Sequence, residues 1–78
     1  MNEHNLIYSI DYKLHDVAKN RIIDSGSIAI VADGIGYGRQ LEDEVKFRNR
    51  DKLPADAHLL NPLSKYRLDY KVKHVSAT

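Results

Sequence analysis

The sequence predicts a small α+β domain with the order ββαβ: a three-stranded antiparallel sheet, order 2-1-3, with one helix packed on one face. Residues 6–14 alternate apolar and polar side chains, which is the period of a half-buried strand. Residues 66–72 (Tyr-Arg-Leu-Asp-Tyr-Lys-Val) repeat the amphipathic pattern of residues 8–14 (Tyr-Ser-Ile-Asp-Tyr-Lys-Leu) near the other end of the chain. Between them, residues 39–51 carry acidic side chains before basic ones, an arrangement that favours a helix.

The first strand and the next segment predict a hairpin. Polar residues 16–21 supply a turn, in which Asn20 tolerates a left-handed conformation. A second strand follows at about residues 22–32. If Lys19 is the centre of the loop, Ile10 faces Ile28 and Tyr12 covers Gly26. Gly26 is expected to weaken this strand and to mark a bulge.

The middle of the chain predicts a glycine-rich connection and then a helix. Three glycines occur in residues 34–38. Glu42–Lys46 and Glu44–Arg48 have the i,i+4 spacing of helical ion pairs, and Leu41 and Val45 share one stripe. The alternative is a strand, because Val45 and Phe47 alternate with charged residues.

The last third of the chain predicts a terminating loop and a third strand. Pro54 ends the helix, and residues 54–60 are expected to form one short helical turn before Asn61 and Pro62. The final strand is predicted at about residues 65–75. Its apolar face carries Tyr66, Leu68, Tyr70 and Val72.

Charge decides how the first and last strands pair. A parallel match of the repeated pattern places Asp11 on Asp69, and like charges directly opposite each other are destabilising. An antiparallel match joins Asp11 to Lys71 and Lys13 to Asp69. On the other face it places Tyr12 opposite Tyr70. The first strand is therefore expected in the centre, which leaves both outer strands free for an edge-to-edge dimer.

Composition limits the class of protein. A chain of 78 residues forms one domain, 1–78, with a modest core. It contains no cysteine, so disulfides and zinc–thiolate sites are excluded, and oligomerisation becomes a plausible source of stability. We therefore expect a homodimer. No stretch reaches the roughly 20 apolar residues of a membrane span, and no signal peptide is recognisable, so we expect a cytoplasmic protein with no membrane partner.

Catalytic and ligand-binding motifs are weak. The segment Gly34-Ile-Gly-Tyr-Gly38 matches neither a dinucleotide fingerprint nor a P-loop. The four histidines lack metal-ligand spacing. Adjacent acids at 42–44 point in different directions on a helix, and the serines lack a nucleophile context. We expect no enzyme activity, no cofactor and no metal.

Charge is distributed unevenly along the chain. Residues 1–45 contain four basic and eight acidic residues, whereas residues 46–78 contain eight basic and three acidic ones. The candidate binding surface consists of six basic residues from the second half: Lys46, Arg48, Arg50, Arg67, Lys71 and Lys73. The alternative is that the basic half only balances the acidic half.

The favoured interpretation is a small non-enzymatic binding module that acts through protein–protein contacts, of the accessory or inhibitor type. The partner is not identified by the sequence. The alternative is a nucleic-acid-binding domain that uses the basic second half. If the sheet face carrying Tyr8, Tyr12, Tyr66 and Tyr70 were uncovered, it would offer bases a stacking platform. The aliphatic residues on the same face favour a core instead.

Overall fold

The computed structural model describes residues 6–32 and 36–77. Its three strands form one antiparallel sheet in the order β2-β1-β3, and one helix lies between β2 and β3 in the chain. The elements are β1 (Leu6–Asp16), β2 (Arg21–Ala32), α1 (Tyr37–Arg48) and β3 (Tyr66–Ala77). The predicted α+β class, ββαβ order and sheet order are confirmed.

The hairpin register is confirmed from residue 6 to residue 14. Ile10 lies opposite Ile28, and Tyr12 lies opposite Gly26. A Cβ atom on Gly26 would lie 3.5 Å from the Tyr12 hydroxyl and 3.6 Å from its ring. The aromatic ring therefore covers the space that the glycine leaves empty, as expected for such a pair. Asn20 has a φ of 51°, the left-handed conformation predicted for the turn.

The pairing of β1 with β3 is also as predicted. Asp11 lies opposite Lys71, Lys13 opposite Asp69, and Tyr12 opposite Tyr70. Opposite charges therefore occupy facing positions on one face of the ladder, and two tyrosines occupy facing positions on the other. The repeated seven-residue pattern therefore marks two strands that pair with each other in one sheet.

A bulge in β2 lies away from Gly26, so the predicted bulge position is wrong. Asp24 pairs with Leu14 and Ile22 pairs with His15, which leaves Ile23 as the extra residue. One extra residue reverses the alternation of side chains. As a result Ile23 packs partly buried against the core, and Ile22 is 51% exposed on the opposite face.

A second bulge interrupts β3 and was not predicted. His74 pairs with Ser9 and Val72 pairs with Ile10, so Lys73 is the extra residue. Beyond it, Val75 lies opposite Tyr8 on the apolar face, and His74 lies on the polar face. Without the bulge these two side chains would exchange faces.

The core is built on the even-numbered face of β1. Tyr8, Ile10, Tyr12 and Leu14 are between 0% and 7% exposed, and Leu41 and Val45 of α1 are fully buried with them. The other β1 face, which carries Ser9, Asp11, Lys13 and His15, is the open sheet face. No described element lies over this open sheet face.

The helix begins earlier than its acidic residues suggest. It starts at Tyr37, after Gly36, so Glu42 lies in its middle and its first turn holds no acid. The expectation of acids at the helix start is therefore wrong. Glu44 pairs with Arg48 as predicted, at 3.6 Å. Glu42 instead accepts a hydrogen bond of 2.8 Å from the amide of Leu59, so it holds the following loop against the helix.

Residues 49–65 complete the core without regular secondary structure. The predicted helical turn at 54–60 is reduced to one hydrogen-bonded turn, from the Ala57 amide to the Pro54 carbonyl. Leu53, Ala57 and Leu59 are buried. The Leu68 amide donates to the Leu59 carbonyl at 3.0 Å, so this loop covers the first part of the outer edge of β3.

The helix covers the sheet unevenly. Among the described elements, its backbone lies nearer to β2 than to β1 or β3. Tyr37 stacks on Tyr8 with ring centroids 4.5 Å apart and meets Tyr70 edge-on at 6.3 Å. Tyr70 nevertheless remains 40% exposed and Val75 45% exposed. The β3 side of the apolar face is therefore only partly covered.

None of the described helices is long and apolar enough to cross a membrane.

The burial pattern predicts different costs for one substitution at two isoleucines. Ile10→Val removes a methyl group from a fully buried site and should lower the free energy of unfolding by about 0.5–1.5 kcal/mol. The matched control, Ile22→Val, changes a 51% exposed side chain of the same sheet and should shift it by no more than about 0.5 kcal/mol. Urea denaturation of both variants measures the difference. Equal costs would contradict the assignment of the two faces.

Candidate protein-binding surfaces

The six candidate basic residues form two groups on opposite sides of the molecule. Arg67, Lys71 and Lys73 belong to the open sheet face or its margin. Lys46, Arg48 and Arg50 lie at the end of α1, which packs on the other face. A single continuous basic surface is therefore not formed, because the sheet separates its two halves.

Two cations of the open sheet face are paired with carboxylates of the same face. Arg67 donates two hydrogen bonds to Asp69, at 3.1 and 3.3 Å. Lys73 lies 3.8 Å from Asp11, whose carboxylate also accepts a hydrogen bond from Ser27. These exposed pairs each contribute only modestly to stability. They do neutralise part of the positive charge that an anion would need.

His15 adds a polar contact to this face. Its Nε2 atom lies 2.9 Å from the Asp69 carboxylate. The direction of approach does not satisfy a hydrogen bond, so this buried nitrogen has no hydrogen-bond partner in the described part of the chain. The imidazole and the carboxylate are therefore close together without a hydrogen bond between them.

A polar cluster fixes the end of α1 to the hairpin. Asp24 accepts hydrogen bonds from the Tyr12 hydroxyl at 3.0 Å and from the Asn49 side-chain amide at 2.9 Å. Asn49 is only 4% exposed and also donates to the Val45 carbonyl. Arg48 approaches the same Tyr12 hydroxyl at 3.5 Å. The cluster joins β1, β2 and α1, so it sets where the last turn of the helix lies.

Burial and hydrogen bonding act in opposite directions on the pKa of Asp24. Burial of the carboxylate raises the pKa, but hydrogen bonds from Asn49 and Tyr12 stabilise the ionised form and hold the pKa below its ordinary value. Burial raises the pKa of the Tyr12 hydroxyl, although Arg48 opposes that shift. At neutral pH the cluster therefore combines an ionised aspartate with a neutral tyrosine.

An apolar surface projects from the end of α1. Phe47 is 63% exposed, and the guanidinium of Arg50 lies 4.5 Å from the centre of its ring. Beside the ring is a groove of about 360 Å³. We call it the Phe47 groove; it is lined by Asp43, Lys46, Phe47, Arg50, Leu53, Pro54 and Ala55. It combines an apolar wall with two cations and one carboxylate.

The groove contains two of the predicted basic residues, but sequence reasoning missed its aromatic centre. In the sequence, Phe47 contributes only to the apolar alternation that supports the alternative of a strand. In a helix whose buried stripe contains Leu41 and Val45, a residue two positions after Val45 lies on the opposite side. That spacing was the available signal. Leu53 and Pro54 carried no corresponding signal, because they follow the helix in an irregular loop.

The two outer strands present different edges. Residues 25–32 of β2 contain no charged side chain, whereas residues 67–73 of β3 contain Arg67, Asp69, Lys71 and Lys73. The loop carbonyl of Leu59 covers part of the β3 edge. No described segment pairs with the outer edge of β2. Val31 on this strand is 51% exposed, while Ile7 of β1 is only partly exposed.

The remaining candidate sites receive little support. Tyr8 and Tyr12 are buried, so bases cannot stack on an open platform of four tyrosines. Gly34 and Ile35 of the glycine-rich segment lie outside the described residues. Within residues 6–32 and 36–77, no three His, Asp or Glu side chains are placed to hold a metal ion.

Comparison with protein-family models, with curated proteins and with solved structures finds no match to this chain. Its function must therefore be inferred from its own surfaces.

The lowered pKa of Asp24 predicts that the free energy of unfolding decreases in acid. The folded chain binds fewer protons at Asp24 than the unfolded chain, so this stabilisation is present above the ordinary pKa of 3.8 and is lost as the pH falls through the lowered value. Asp24→Asn should cost about 1 kcal/mol at pH 7. The difference from the wild type should shrink in strong acid, because the wild-type carboxyl is then protonated.

Urea denaturation at a series of pH values measures this effect. Asp56→Asn is the matched control, because Asp56 is exposed in the 54–57 turn. A constant cost of Asp24→Asn from neutral to strongly acidic pH would show that the carboxylate charge is not what stabilises the cluster.

Proposed function

We propose that this chain is a small non-enzymatic protein-binding module, of the accessory or inhibitor type, that works as a homodimer. The observation that carries the proposal is the exposed Phe47 ring beside its groove. An aromatic side chain that is 63% exposed contributes little to the fold of the isolated chain beyond its contact with Arg50. Burial of an apolar ring against a partner is the usual source of binding energy in an interface.

The surroundings of the ring favour one chemistry of partner. Lys46 and Arg50 flank Phe47, and Asp43 is the one carboxylate among the described residues that lines the groove. The favoured partner therefore inserts an apolar side chain beside the ring and places acidic side chains against the two cations. Such charge complementarity contributes mainly to association rate and specificity, and the apolar contact contributes to affinity.

The backbone under the groove is held in place before any partner binds. Leu41 and Val45 fix α1 to the core, and the cluster at Asn49 fixes its last turn to β2. The Leu53 amide donates to the Asn49 carbonyl at 3.1 Å, so the other wall of the groove is tied to the same residue. A surface that is already ordered loses less entropy on binding.

Nucleic-acid binding is the alternative outcome. Lys13, Lys71 and Lys73 are exposed on or beside the open sheet face and could contact phosphates. Pairing of Lys73 with Asp11 and of Arg67 with Asp69 weakens that reading. The burial of Tyr8 and Tyr12 removes the aromatic stacking that would accompany it.

Substitution of the exposed ring should separate binding from folding. Phe47→Ala should abolish capture of an acidic partner protein from cell extract, with little change in the free energy of unfolding. Leu63→Ala is the matched control, since Leu63 is 91% exposed in a loop outside the groove and should retain capture. Quantitative affinity capture with the immobilised chain measures both, and chemical denaturation checks that each variant folds.

A second pair of variants tests the charge of the partner. Lys46→Glu should weaken the same capture, whereas Lys71→Glu on the other side of the molecule should not. Undiminished capture by Phe47→Ala and Lys46→Glu would overturn the assignment of the groove. If the chain instead binds DNA or RNA with an affinity that falls steeply as salt rises, and Lys71→Glu abolishes it, the nucleic-acid function replaces the protein-binding one.

A further inference from the structure

The edge of β2, which no segment within residues 6–32 and 36–77 pairs with, points to a specific self-association interface. We propose that β2 pairs antiparallel with β2 of a second copy, so that two chains form one continuous six-stranded sheet. This inference rests on the proposed homodimer and names the surface that forms it. The groove at Phe47 takes no part in it.

The direction of the β2 backbone groups follows from one hydrogen bond on the other side of the sheet. The Leu68 amide points away from β1, because it donates to Leu59 in the loop outside β3. Leu14 lies opposite Leu68, so alternation in antiparallel ladders directs the backbone of Leu14 towards β2. Asp24 lies opposite Leu14, so the backbone groups of Asp24 point towards β1 and bond to those of Leu14. The backbone groups of the odd-numbered residues Ser25, Ser27, Ala29 and Val31 therefore face outward.

In the part of the chain that the structure describes, these outward groups lie on a strand without the usual protection of an edge. Natural proteins protect edge strands with charged residues, proline, bulges or covering segments. Residues 25–32 (Ser-Gly-Ser-Ile-Ala-Ile-Val-Ala) contain no charge and no proline, and the β2 bulge at Ile23 lies before them. This uncharged stretch is long enough to supply several paired hydrogen bonds on each side of a two-fold axis.

A second copy of β2 is a better-matched occupant of its own edge than a second copy of β3 would be for the β3 edge. Antiparallel pairing of β2 with itself brings only serine, alanine and aliphatic side chains into register, so no like charges meet. Self-pairing of β3 would bring Arg67, Lys71 and Lys73 close to the same residues of the copy, with one aspartate per chain to offset them. The covered amide of Leu68 further shortens the free edge of β3.

The position of the helix is consistent with this choice. A two-fold axis perpendicular to the sheet reverses the strand direction and keeps both helices on one face. Since α1 makes its main backbone contacts with β2, the two helices would lie beside each other across the new ladder.

Charge placed on either edge strand tests the assignment. Light scattering coupled to size-exclusion chromatography should give the wild type twice the 8.9 kDa mass of the chain. Val31→Lys should give the monomer mass, because a lysine on β2 opposes edge pairing. Val75→Lys, at a similarly exposed valine of β3, should remain dimeric (the two valines are 51% and 45% exposed).

One proline variant and a set of single-cysteine variants test the β2 interface without relying on Val31→Lys. Ala29→Pro removes an outward amide and leaves the ladder with β1 intact, so it should also give a folded monomer. The natural chain has no cysteine, so a single introduced thiol reports one contact. Among Ser27→Cys, Ile28→Cys and Ala29→Cys, one residue meets its own copy and should form an intermolecular disulfide on oxidation. Val75→Cys should not.

The outcomes distinguish the interface from the function. Loss of the dimer in Val75→Lys but not in Val31→Lys or Ala29→Pro would overturn the β2 interface while the homodimer stands. A wild type that is monomeric at all concentrations would overturn both the interface and the homodimer. Neither result would alter capture of a partner through Phe47, because that measurement uses a different surface and different variants.

Discussion

The structure depends on the burial of one face of β1. This strand lies at the centre of the sheet, so its alternation determines which side of both neighbouring strands faces the core. Ile10 and Leu14 are fully buried on that face, and Asp11 and Lys13 are placed on the other. A shift of one residue against either neighbour would bring charged side chains under the helix. The large cost of that exchange is what holds a 78-residue chain in a single register.

One helix is too short to cover the buried face of three long strands. The strands contain 11 or 12 residues and the helix contains 12, and a strand rises roughly twice as far per residue as a helix. The loop after α1 supplies the missing cover with Leu53, Ala57 and Leu59. Because the helix is short, Tyr70 and Val75 remain partly exposed at the β3 side of the sheet. The long strands also make the molecule elongated, with dimensions of 47 × 22 × 21 Å.

The sequence was informative wherever two independent signals agreed. Apolar alternation and opposite charges both selected the pairing of Asp11 with Lys71, and the observed ladder follows it. The bulges at Ile23 and Lys73 could not be predicted in this way, because each inserts one residue into a strand whose average pattern hardly changes. Leu59 was equally hidden, since its burial depends on Glu42 and Leu68, which are distant in the chain.

The candidate binding residues were harder to predict because a count of charges along the sequence does not show on which face of the sheet each side chain lies. Six basic residues in one half of the sequence suggested one surface, but α1 and the exposed charges of β3 lie on opposite faces of the sheet. Only the position of each cation relative to the buried stripe shows which ones are neighbours. Lys46 and Arg50 become stronger candidates for binding because Phe47 and Leu53 lie beside them. Lys73 becomes a weaker candidate because it pairs with Asp11.

The proposed self-association through β2 and the proposed partner binding at Phe47 are compatible because they would use separate residues. The groove is lined by α1 and by residues 53–55, whereas the β2 edge comprises residues 25–32. In a two-fold dimer whose helices share one face, both grooves would open on the same side of the extended sheet. A partner with two acidic, apolar segments could then engage both copies, and the second contact would form at a high effective concentration. A module this small would thereby bind more tightly than its single groove allows.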